Sequence, residues 1–263
     1  MRESELQQIC MQAIPILKRT GNYIANSRKH LRQNQIALKG VRDMVTEIDK
    51  NAEIRLVKNL KKILPEAGFI TEEKTTDQIS KTYNWVIDPL DGTTNFVFGI
   101  PITAVSVALM KGKKILIGMV YEISMREMFY TWQGAPSFCN GDIIHVSKQK
   151  DFSKALVATG FPYTRIKRIP GITKSIAYFL EHCQDIRRFG SAATDLCYVA
   201  CGRFEIYYEG YLQQWDIAAG ILIVKNAGGV VKNFEGKEDY SENKIVACNP
   251  YLLKNALNGI FLN

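Results

Sequence analysis

The segment WVIDPLDGTTNF, residues 85–96, changes from an apolar run to a polar turn. The aromatic and β-branched residues from Tyr83 to Ile87 predict a buried strand. Asp88-Pro89 predicts the end of that strand, because proline fixes its own φ and lacks the N–H that a sheet ladder needs. The segment therefore predicts a buried strand followed directly by a loop of polar residues.

That loop carries residues suited to a cation and an anion together. Its carboxylates, Asp88 and Asp91, are hard oxygen ligands of the kind that Mg²⁺ takes alongside water and substrate phosphate. Gly92, Thr93 and Thr94 follow at a predicted helix start, where backbone N–H groups attract phosphate. A plain Asx turn, with glycine at positive φ, is the alternative interpretation of a short D-x-x-D-G pattern.

The chain has 263 residues, of which 46% are hydrophobic, enough for one large core or two closely packed halves. We expect a single domain, 1–263, with halves of about residues 1–150 and 151–263. No apolar run approaches the roughly 20 residues of a membrane helix. The charged N-terminus lacks the apolar stretch of a signal peptide. These features predict a cytoplasmic protein that does not enter a membrane.

The cysteines, at positions 10, 139, 183, 197, 201 and 248, form no C-x-x-C pair. They predict buried free thiols in a reducing compartment, not a zinc site. The sequence has three histidines and no H-E-x-x-H motif, which argues against a histidine-rich metallohydrolase centre.

The formal net charge of the chain is +8 at pH 7. Such a charge permits contact with nucleic acid or simple attraction of anionic substrates. The lysines and arginines are mostly scattered, and no basic stripe is interleaved with aromatic residues. A solvated surface is therefore favoured over a nucleic-acid partner.

The spacing of apolar residues predicts mixed α and β structure. A long amphipathic helix is predicted over about residues 4–32, with a kink or break at Pro15. A second helix follows Asp49 and ends at Pro65. Strands dominate residues 103–132 and predict a largely antiparallel sheet, whereas the second half of the chain alternates strands and helices.

Acidic residues fall at several predicted element boundaries, where side chains can meet in a cleft. They are Glu72, Asp88, Asp91 and Asp216, with Asp49 nearby. Carboxylates packed together would repel one another and raise each other's pKa values. Bound divalent cations remove that penalty, so the group favours a metal site. Taken alone, the position of Asp49 suggests a residue that caps or decorates its helix. Adjacent acids at a strand end, such as Glu72 and Glu73, are usually just solvated.

Two motifs resemble the signatures of the inositol monophosphatase family: DPLDGTTNF at residues 88–96 and WDIAAG at residues 215–220. AGG at residues 227–229 follows at the usual distance, and the similarity runs from about residue 43 to about residue 246. The family comprises Mg²⁺-dependent, often lithium-sensitive phosphatases of small molecules. The resemblance implies an α+β fold, a layered αβαβα sandwich, and a homodimer.

The resemblance also implies metal ligands. One Mg²⁺ would be held by Glu72, Asp88 and the backbone carbonyl of Leu90. A second would be held by Asp88, Asp91 and Asp216, and a third, weaker ion would lie near Glu72. The expected cofactor is therefore two or three Mg²⁺ ions.

The catalytic residues implied by the resemblance are Asp49, Thr93 and Glu72, of which Asp49 and Thr93 would orient the attacking water. Backbone N–H groups of Gly92, Thr93 and Thr94 would bind the phosphate. The alcohol side of the substrate would contact Asp91, Gly190, Ser191, Ala192, Glu209 and Asp216. Without the resemblance, Glu209 is equally well a surface acid at a strand end.

The leading hypothesis is hydrolysis of a small phosphate monoester such as inositol-1-phosphate. The same metal site would serve a 3′(2′),5′-bisphosphate nucleotidase, although no adenine pocket is evident, or a fructose-1,6-bisphosphatase. The latter needs a second phosphate site, for which Arg165, Lys167 and Arg168 are candidates. A different class of function is a binding protein for RNA or the transcription machinery, which the positive charge permits.

Overall fold

The computed structural model describes residues 1–30, 36–40, 43–162 and 166–262. The helices are α1 (Glu3–Arg28), α2 (Glu47–Ile63), α3 (Thr93–Phe98), α4 (Ile169–His182), α5 (Ala192–Ala200), α6 (Gln214–Asn226) and α7 (Leu253–Asn258). The strands of the first half are β1 (Ile36–Gly40), β2 (Asp43–Thr46), β3 (Gly68–Thr71), β4 (Tyr83–Asp91), β5 (Ala104–Lys111), β6 (Lys114–Glu122), β7 (Glu127–Trp132), β8 (Ser137–Cys139) and β9 (Asp142–Ile144). Those of the second half are β10 (Leu156–Thr159), β11 (Asp185–Arg187), β12 (Ile206–Glu209), β13 (Val230–Lys232) and β14 (Ile245–Cys248).

The strands form two large sheets and one small hairpin. A seven-stranded sheet has the order β3-β4-β5-β6-β7-β8-β9 and is antiparallel except for the parallel pair β3 and β4. A five-stranded sheet has the order β11-β10-β12-β14-β13, with β10 parallel to both of its neighbours. The hairpin pairs β1 with β2. The predicted antiparallel sheet in the first half is confirmed.

Helices α1 and α2 cover one face of the seven-stranded sheet. Their apolar stripes, which include Leu17 and Leu56, share one core with Trp85 and Ile87 of β4. The predicted break in the first helix is wrong, because α1 continues through Pro15. Pro15 is exposed, so its ring faces solvent while the buried stripe on the opposite side continues to pack.

Helices α5 and α6 lie between the two sheets. Their core includes Val86 and Ala108 from the seven-stranded sheet and Tyr207 and Ala247 from the five-stranded sheet. The outer face of the five-stranded sheet is covered by α4 and α7, and Phe179 of α4 stacks on Tyr208 at 4.8 Å between ring centroids. The order of layers is helix, sheet, helix, sheet, helix, which confirms the predicted αβαβα sandwich.

Strand β4 extends further than predicted. Pro89 lies inside it, and the pairing with β5 changes register between Asp88 and Asp91. The prediction that Asp88-Pro89 ends the strand is therefore wrong. A β-bulge leaves residues out of the ladder, so the missing proline N–H costs no hydrogen bond there.

None of the described helices is both long and apolar enough to cross a membrane. The cysteines are free, as predicted; Cys10, Cys197 and Cys248 are buried, and the remaining three are partly exposed.

Gly118 in β6 allows α6 to pack closely on the sheet. A Cβ atom at this position would lie 2.5 Å from the carbonyl oxygen of Ala219 in α6. Since that oxygen is backbone, it cannot move aside as a side chain would. We predict that Gly118→Ala lowers the free energy of unfolding by about 1–3 kcal/mol, measured by urea denaturation.

Gly210→Ala is the matched control. The atoms nearest its Cβ would all belong to side chains, the closest of them on the Phe234 ring at 3.3 Å. The free energy of unfolding of this variant should therefore stay close to that of the parent. Equal destabilisation by Gly118→Ala and Gly210→Ala would contradict the close backbone contact as the cause.

Candidate active site

A cleft of about 400 Å³ opens where β4, α3, α5 and α6 meet. The predicted site residues that line it are Glu72, Asp88, Leu90, Asp91, Gly92, Thr93, Thr94, Gly190, Ala192, Glu209 and Asp216. Asp49 and Ser191 lie behind the wall and are buried. The structure thus brings together residues that are more than 140 positions apart in sequence, from 72 to 216.

The acidic residues are close enough to affect one another's ionisation. Burial raises the pKa of Asp88 well above its usual range, and the charges of Glu72, Asp91 and Asp216 raise it further. Burial likewise raises the pKa of Asp216, followed by the charge of Asp91. These effects show an acidic cluster whose members destabilise one another when all are ionised.

Asp91 is held in place from the second half of the chain. Its Oδ2 atom accepts hydrogen bonds from the Ser191 hydroxyl at 2.7 Å and from the Ala193 backbone N–H at 2.7 Å. Burial raises the pKa of Asp91 to about 6, against the lowering effect of these two hydrogen bonds. The start of α5 therefore orients the carboxylate that ends β4.

Backbone N–H groups orient the other two aspartates. The Gln213 N–H donates to Asp216 Oδ2 at 2.6 Å, within the capping box of α6. The Leu90 N–H donates to Asp88 Oδ1 at 2.9 Å. In each carboxylate the second oxygen takes no part in these bonds and can bind another ligand.

Asp49 and Thr93 form a hydrogen-bonded pair beside the acids. The Thr93 hydroxyl lies 3.0 Å from Asp49 Oδ1 and 3.0 Å from the Leu90 carbonyl. Asp49 Oδ2 accepts from the Thr46 N–H at 2.9 Å and from the Thr46 hydroxyl. Asp49 is thus both the helix cap that its position suggested and the partner of a threonine in the cleft. Burial raises the pKa of Asp49, partly offset by these bonds.

The signature loop turns sharply at Gly92. Its φ of 88° lies in the left-handed region, and a Cβ would be 2.9 Å from the Ile102 carbonyl oxygen. Only glycine fits both constraints. Thr93 then begins α3, which leaves the first backbone N–H groups of the helix without intrahelical acceptors. This part of the cleft can accept an anion.

The cleft lining also contains Glu209 and Arg188. Burial raises the pKa of Glu209 to about 7, opposed by a 2.7 Å hydrogen bond from the Tyr207 hydroxyl and by the Arg188 charge. Arg188 also lines the cleft, with its guanidinium 5.7 Å from the ring centroid of Phe161. Glu209 is therefore a cleft residue and not a surface acid.

Of the candidates for a second phosphate site, Arg165 lies outside the described residues. Lys167 and Arg168 belong to a short 3₁₀ helix, Ile166–Arg168. Arg168 stacks on Tyr211, which lines the cleft, at 3.7 Å from the ring centroid.

Sequence reasoning missed Glu53, a buried residue of α2. Its carboxylate accepts from the N–H groups of Glu73 at 2.7 Å and Thr75 at 2.8 Å. Glu53 thereby holds the loop that directly follows Glu72. The signal was its place four residues after Asp49 in sequence, which puts both acids on one face of α2.

Asp195 in α5 was also missed. It is 1% exposed, and neither carboxyl oxygen has a hydrogen-bond partner among the described residues. Burial raises its pKa well above the usual range, and Glu209 and Asp91 add to the rise. The raised pKa favours the neutral form of the Asp195 carboxyl, which carries no negative charge behind the cleft.

The donor set suits Mg²⁺. It consists of carboxylate oxygens and the Leu90 carbonyl, all hard ligands. In the described part of the chain, no group of three or more His, Cys, Asp or Glu side chains is arranged to hold a metal ion by itself. Mg²⁺ usually completes its shell with water and substrate phosphate, so an open, acid-lined cleft fits it better than a closed cage would.

Asp195→Asn is expected to stabilise the protein increasingly as pH rises. Folding raises the Asp195 pKa, so the folded state holds this proton more tightly than the unfolded chain does. The parent therefore loses stability above about pH 4, where an unfolded aspartate ionises. Asparagine does not titrate. Urea denaturation at pH 5 and pH 8 measures the difference.

The exposed Asp77 provides the control, since Asp77→Asn removes the same charge from a solvated position. Its stability should follow that of the parent at both pH values. A similar gain from both substitutions, or a gain from Asp195→Asn that is larger at pH 5, would contradict a buried, protonated Asp195.

Comparison with known proteins places the chain among relatives of the same architecture. The model of the inositol monophosphatase family matches residues 5–262. Nus factor SuhB of Vibrio cholerae is 40% identical over 250 residues, which is 94% of both chains. The structure of extragenic suppressor protein suhB from Bartonella henselae is 34% identical with a TM-score of 0.89, covering 94% of this chain and 95% of that chain.

The Thermotoga maritima IMPase structure is 30% identical with a TM-score of 0.85, covering 94% of both chains. Three findings agree: the family model matches nearly the whole chain, both signature motifs are present, and the fold is an αβαβα sandwich. The chain belongs to the inositol monophosphatase family.

Proposed function

We propose that the protein is a Mg²⁺-dependent phosphatase that hydrolyses a small phosphate monoester, with inositol-1-phosphate as the expected substrate. The observation that carries this proposal is the acidic cluster of Asp88, Asp91 and Asp216 beside the Thr93–Asp49 hydrogen bond. An acidic cluster without bound cations would destabilise the fold and repel a phosphate. The same cluster with cations, next to a group that can take a proton from water, suits phosphate hydrolysis.

The expected ligands are those that the family resemblance implied. Glu72, Asp88 and the Leu90 carbonyl would hold one ion, and Asp88, Asp91 and Asp216 a second. Bound Mg²⁺ would supply charge neutralisation of the phosphoryl oxygens and a lowered pKa of a coordinated water. The number of ions, two or three, remains part of the proposal.

The protein groups would position the reactants. Backbone N–H groups of Gly92, Thr93 and Thr94 would bind the phosphate at the start of α3. The Thr93 oxygen would take a proton from the attacking water while the Thr93 hydroxyl gives its own proton to Asp49, to which it is hydrogen-bonded. Asp49, with its raised pKa, is a better proton acceptor than an exposed aspartate. Phosphoryl transfer requires little beyond such positioning and charge neutralisation.

On the alcohol side, Gly190, Ala192 and Glu209 are the expected contacts. Glu209 would accept hydrogen bonds from substrate hydroxyls. Ser191 is buried and donates to Asp91, so its expected contribution is to orient that carboxylate. We also expect a homodimer, as the family resemblance implies, and a cytoplasmic location, as the sequence features suggested.

Asp91→Asn is predicted to reduce Mg²⁺-dependent phosphate release by at least about a hundredfold. The reason is that the substitution removes a carboxylate ligand of the Mg²⁺ ion that stabilises the transition state. Asparagine still accepts the bonds from Ser191 and Ala193, so the fold should persist. The assay measures phosphate released from inositol-1-phosphate, fructose-1,6-bisphosphate and 3′-phosphoadenosine-5′-phosphate, with and without lithium. The ester that is cleaved fastest identifies the substrate class.

Asp77→Asn, which removes a charge from an exposed residue that does not line the cleft, is the control and should keep full turnover. Turnover by Asp91→Asn within a few-fold of the parent would refute the metal assignment. Absence of turnover by the parent with every ester would refute the phosphatase proposal for these substrates.

A second candidate function is a transcription-associated binding role. The observation that favours it is the name of the Vibrio cholerae relative, a Nus factor. If the protein binds RNA through its positive charge, retention on immobilised RNA should weaken steeply with salt and survive Asp91→Asn. No retention at low salt would exclude this RNA-binding role.

A further inference from the structure

Tyr211 is a strained residue in the wall of the cleft. It lies in the link between β12 and α6 with a φ of 67°, a left-handed conformation that bulky side chains rarely adopt. Four further non-glycine residues have positive φ values: Lys74, Arg126, Asn140 and Asn243. Arg126 and Asn140 lie in hairpin turns, Asn243 is of a residue type that tolerates this conformation, and Lys74 lines the cleft as Tyr211 does. Strained residues away from such turns cluster at ligand-binding sites.

The surrounding structure determines where the Tyr211 ring lies. The N–H of the next residue, Leu212, donates to the Asn243 carbonyl at 3.1 Å. The ring itself lies 3.7 Å from the guanidinium carbon of Arg168 and 5.5 Å from the amine of Lys244, measured to its centroid. The attraction between these cations and the ring stabilises one position of the Tyr211 side chain.

The cleft lining combines two kinds of surface. Carboxylates form the metal-binding part, and the side chains of Phe161, Leu212 and Tyr211 add apolar surface. The lining also includes the Glu209 carboxyl and the Arg188 guanidinium. An alcohol beside these residues meets an apolar wall, a hydrogen-bond acceptor and a hydrogen-bond donor. A ring polyol matches this set, because its C–H groups form flat apolar faces and its hydroxyls, which both donate and accept, lie at the rim.

We propose that Tyr211 is a specificity-determining residue that selects phosphate esters of cyclic alcohols by covering one face of the alcohol ring. The inference rests on the proposed phosphatase function, because it assumes that the phosphate binds beside the acidic cluster of Asp88, Asp91 and Asp216. An acyclic alcohol has no flat face to present, so it gains little from the Tyr211 ring. Asparagine or glycine at position 211 would keep the backbone turn and remove the wall.

The experiment measures binding in the Asp49→Asn background, which removes the proton acceptor and keeps the acidic cluster. Calorimetric titration with Mg²⁺ compares inositol-1-phosphate, a cyclic ester, with glycerol-2-phosphate, an acyclic one. The test variants are Tyr211→Asn and Tyr211→Gly, both compatible with positive φ. Tyr211→Phe keeps the ring, and Arg126→Gly changes a positive-φ residue in a hairpin turn that does not line the cleft.

Tyr211→Asn and Tyr211→Gly should raise the Kd for inositol-1-phosphate about fivefold to tenfold, the size of an aromatic contact. The Kd for glycerol-2-phosphate should stay unchanged. Tyr211→Phe and Arg126→Gly should bind both esters as the Asp49→Asn protein does. In the active protein, KM for the cyclic ester should rise by the same factor with kcat unchanged.

Equal changes for both esters, no change for either, or no binding of either ester would overturn the role of Tyr211. Failure of the phosphatase proposal gives a different result. In that case the active protein releases no phosphate, while the selective change in Kd for inositol-1-phosphate is still observed.

Discussion

The mutual repulsion of carboxylates at the junction of the two sheets is the constraint on which the site depends. Asp88, Asp91 and Asp216 come from strand β4 and helix α6, and each has its pKa raised by burial and by acidic neighbours. A fold that brings such groups together must hold them firmly, because they gain free energy by moving apart or taking up protons. Bound cations neutralise the repulsion between the carboxylates only if the carboxylates stay in position to bind them.

The acids are held mainly by backbone N–H groups. One donor comes from the turn within β4, one from the start of α5 and one from the cap of α6. Backbone donors are the most rigid available, since their positions follow from the secondary structure itself. The Ser106 hydroxyl of β5 adds a bond to the Trp215 carbonyl at 3.2 Å, which fixes the start of α6 against the seven-stranded sheet. The contacts that position the acidic residues therefore also hold α5 and α6 against the sheet.

Most of the acidic site could be predicted because Asp88, Asp91 and Asp216 lie in two short contiguous motifs, residues 88–96 and 215–220. Such motifs can be recognised from the sequence alone. Glu53 and Asp195 could not be found in this way. Their importance comes from burial and from partners that are distant in sequence. Ser191 was predicted as a substrate contact, and only the structure places it behind Asp91.

Backbone geometry explains the remaining differences from the sequence-based expectations. Proline is a reliable strand breaker in a regular ladder, but Pro89 lies at a bulge, where no ladder bond is required. Pro15 lies on the exposed side of α1 and the helix continues. The left-handed conformation of Tyr211 could not be foreseen, because tyrosine has no preference for it. These outcomes depend on neighbouring strands and loops that local patterns do not describe.

The central position of α5 and α6 has a consequence for synthesis of the chain. One face of the seven-stranded sheet, including Val86 and Ala108, packs against α5 and α6, which both lie after residue 190. While the ribosome is still translating that region, the finished sheet exposes an apolar surface and its acids lack their second-half partners. We expect the nascent chain to depend on rapid completion or on chaperones, and a truncated product to aggregate instead of forming a partly active enzyme.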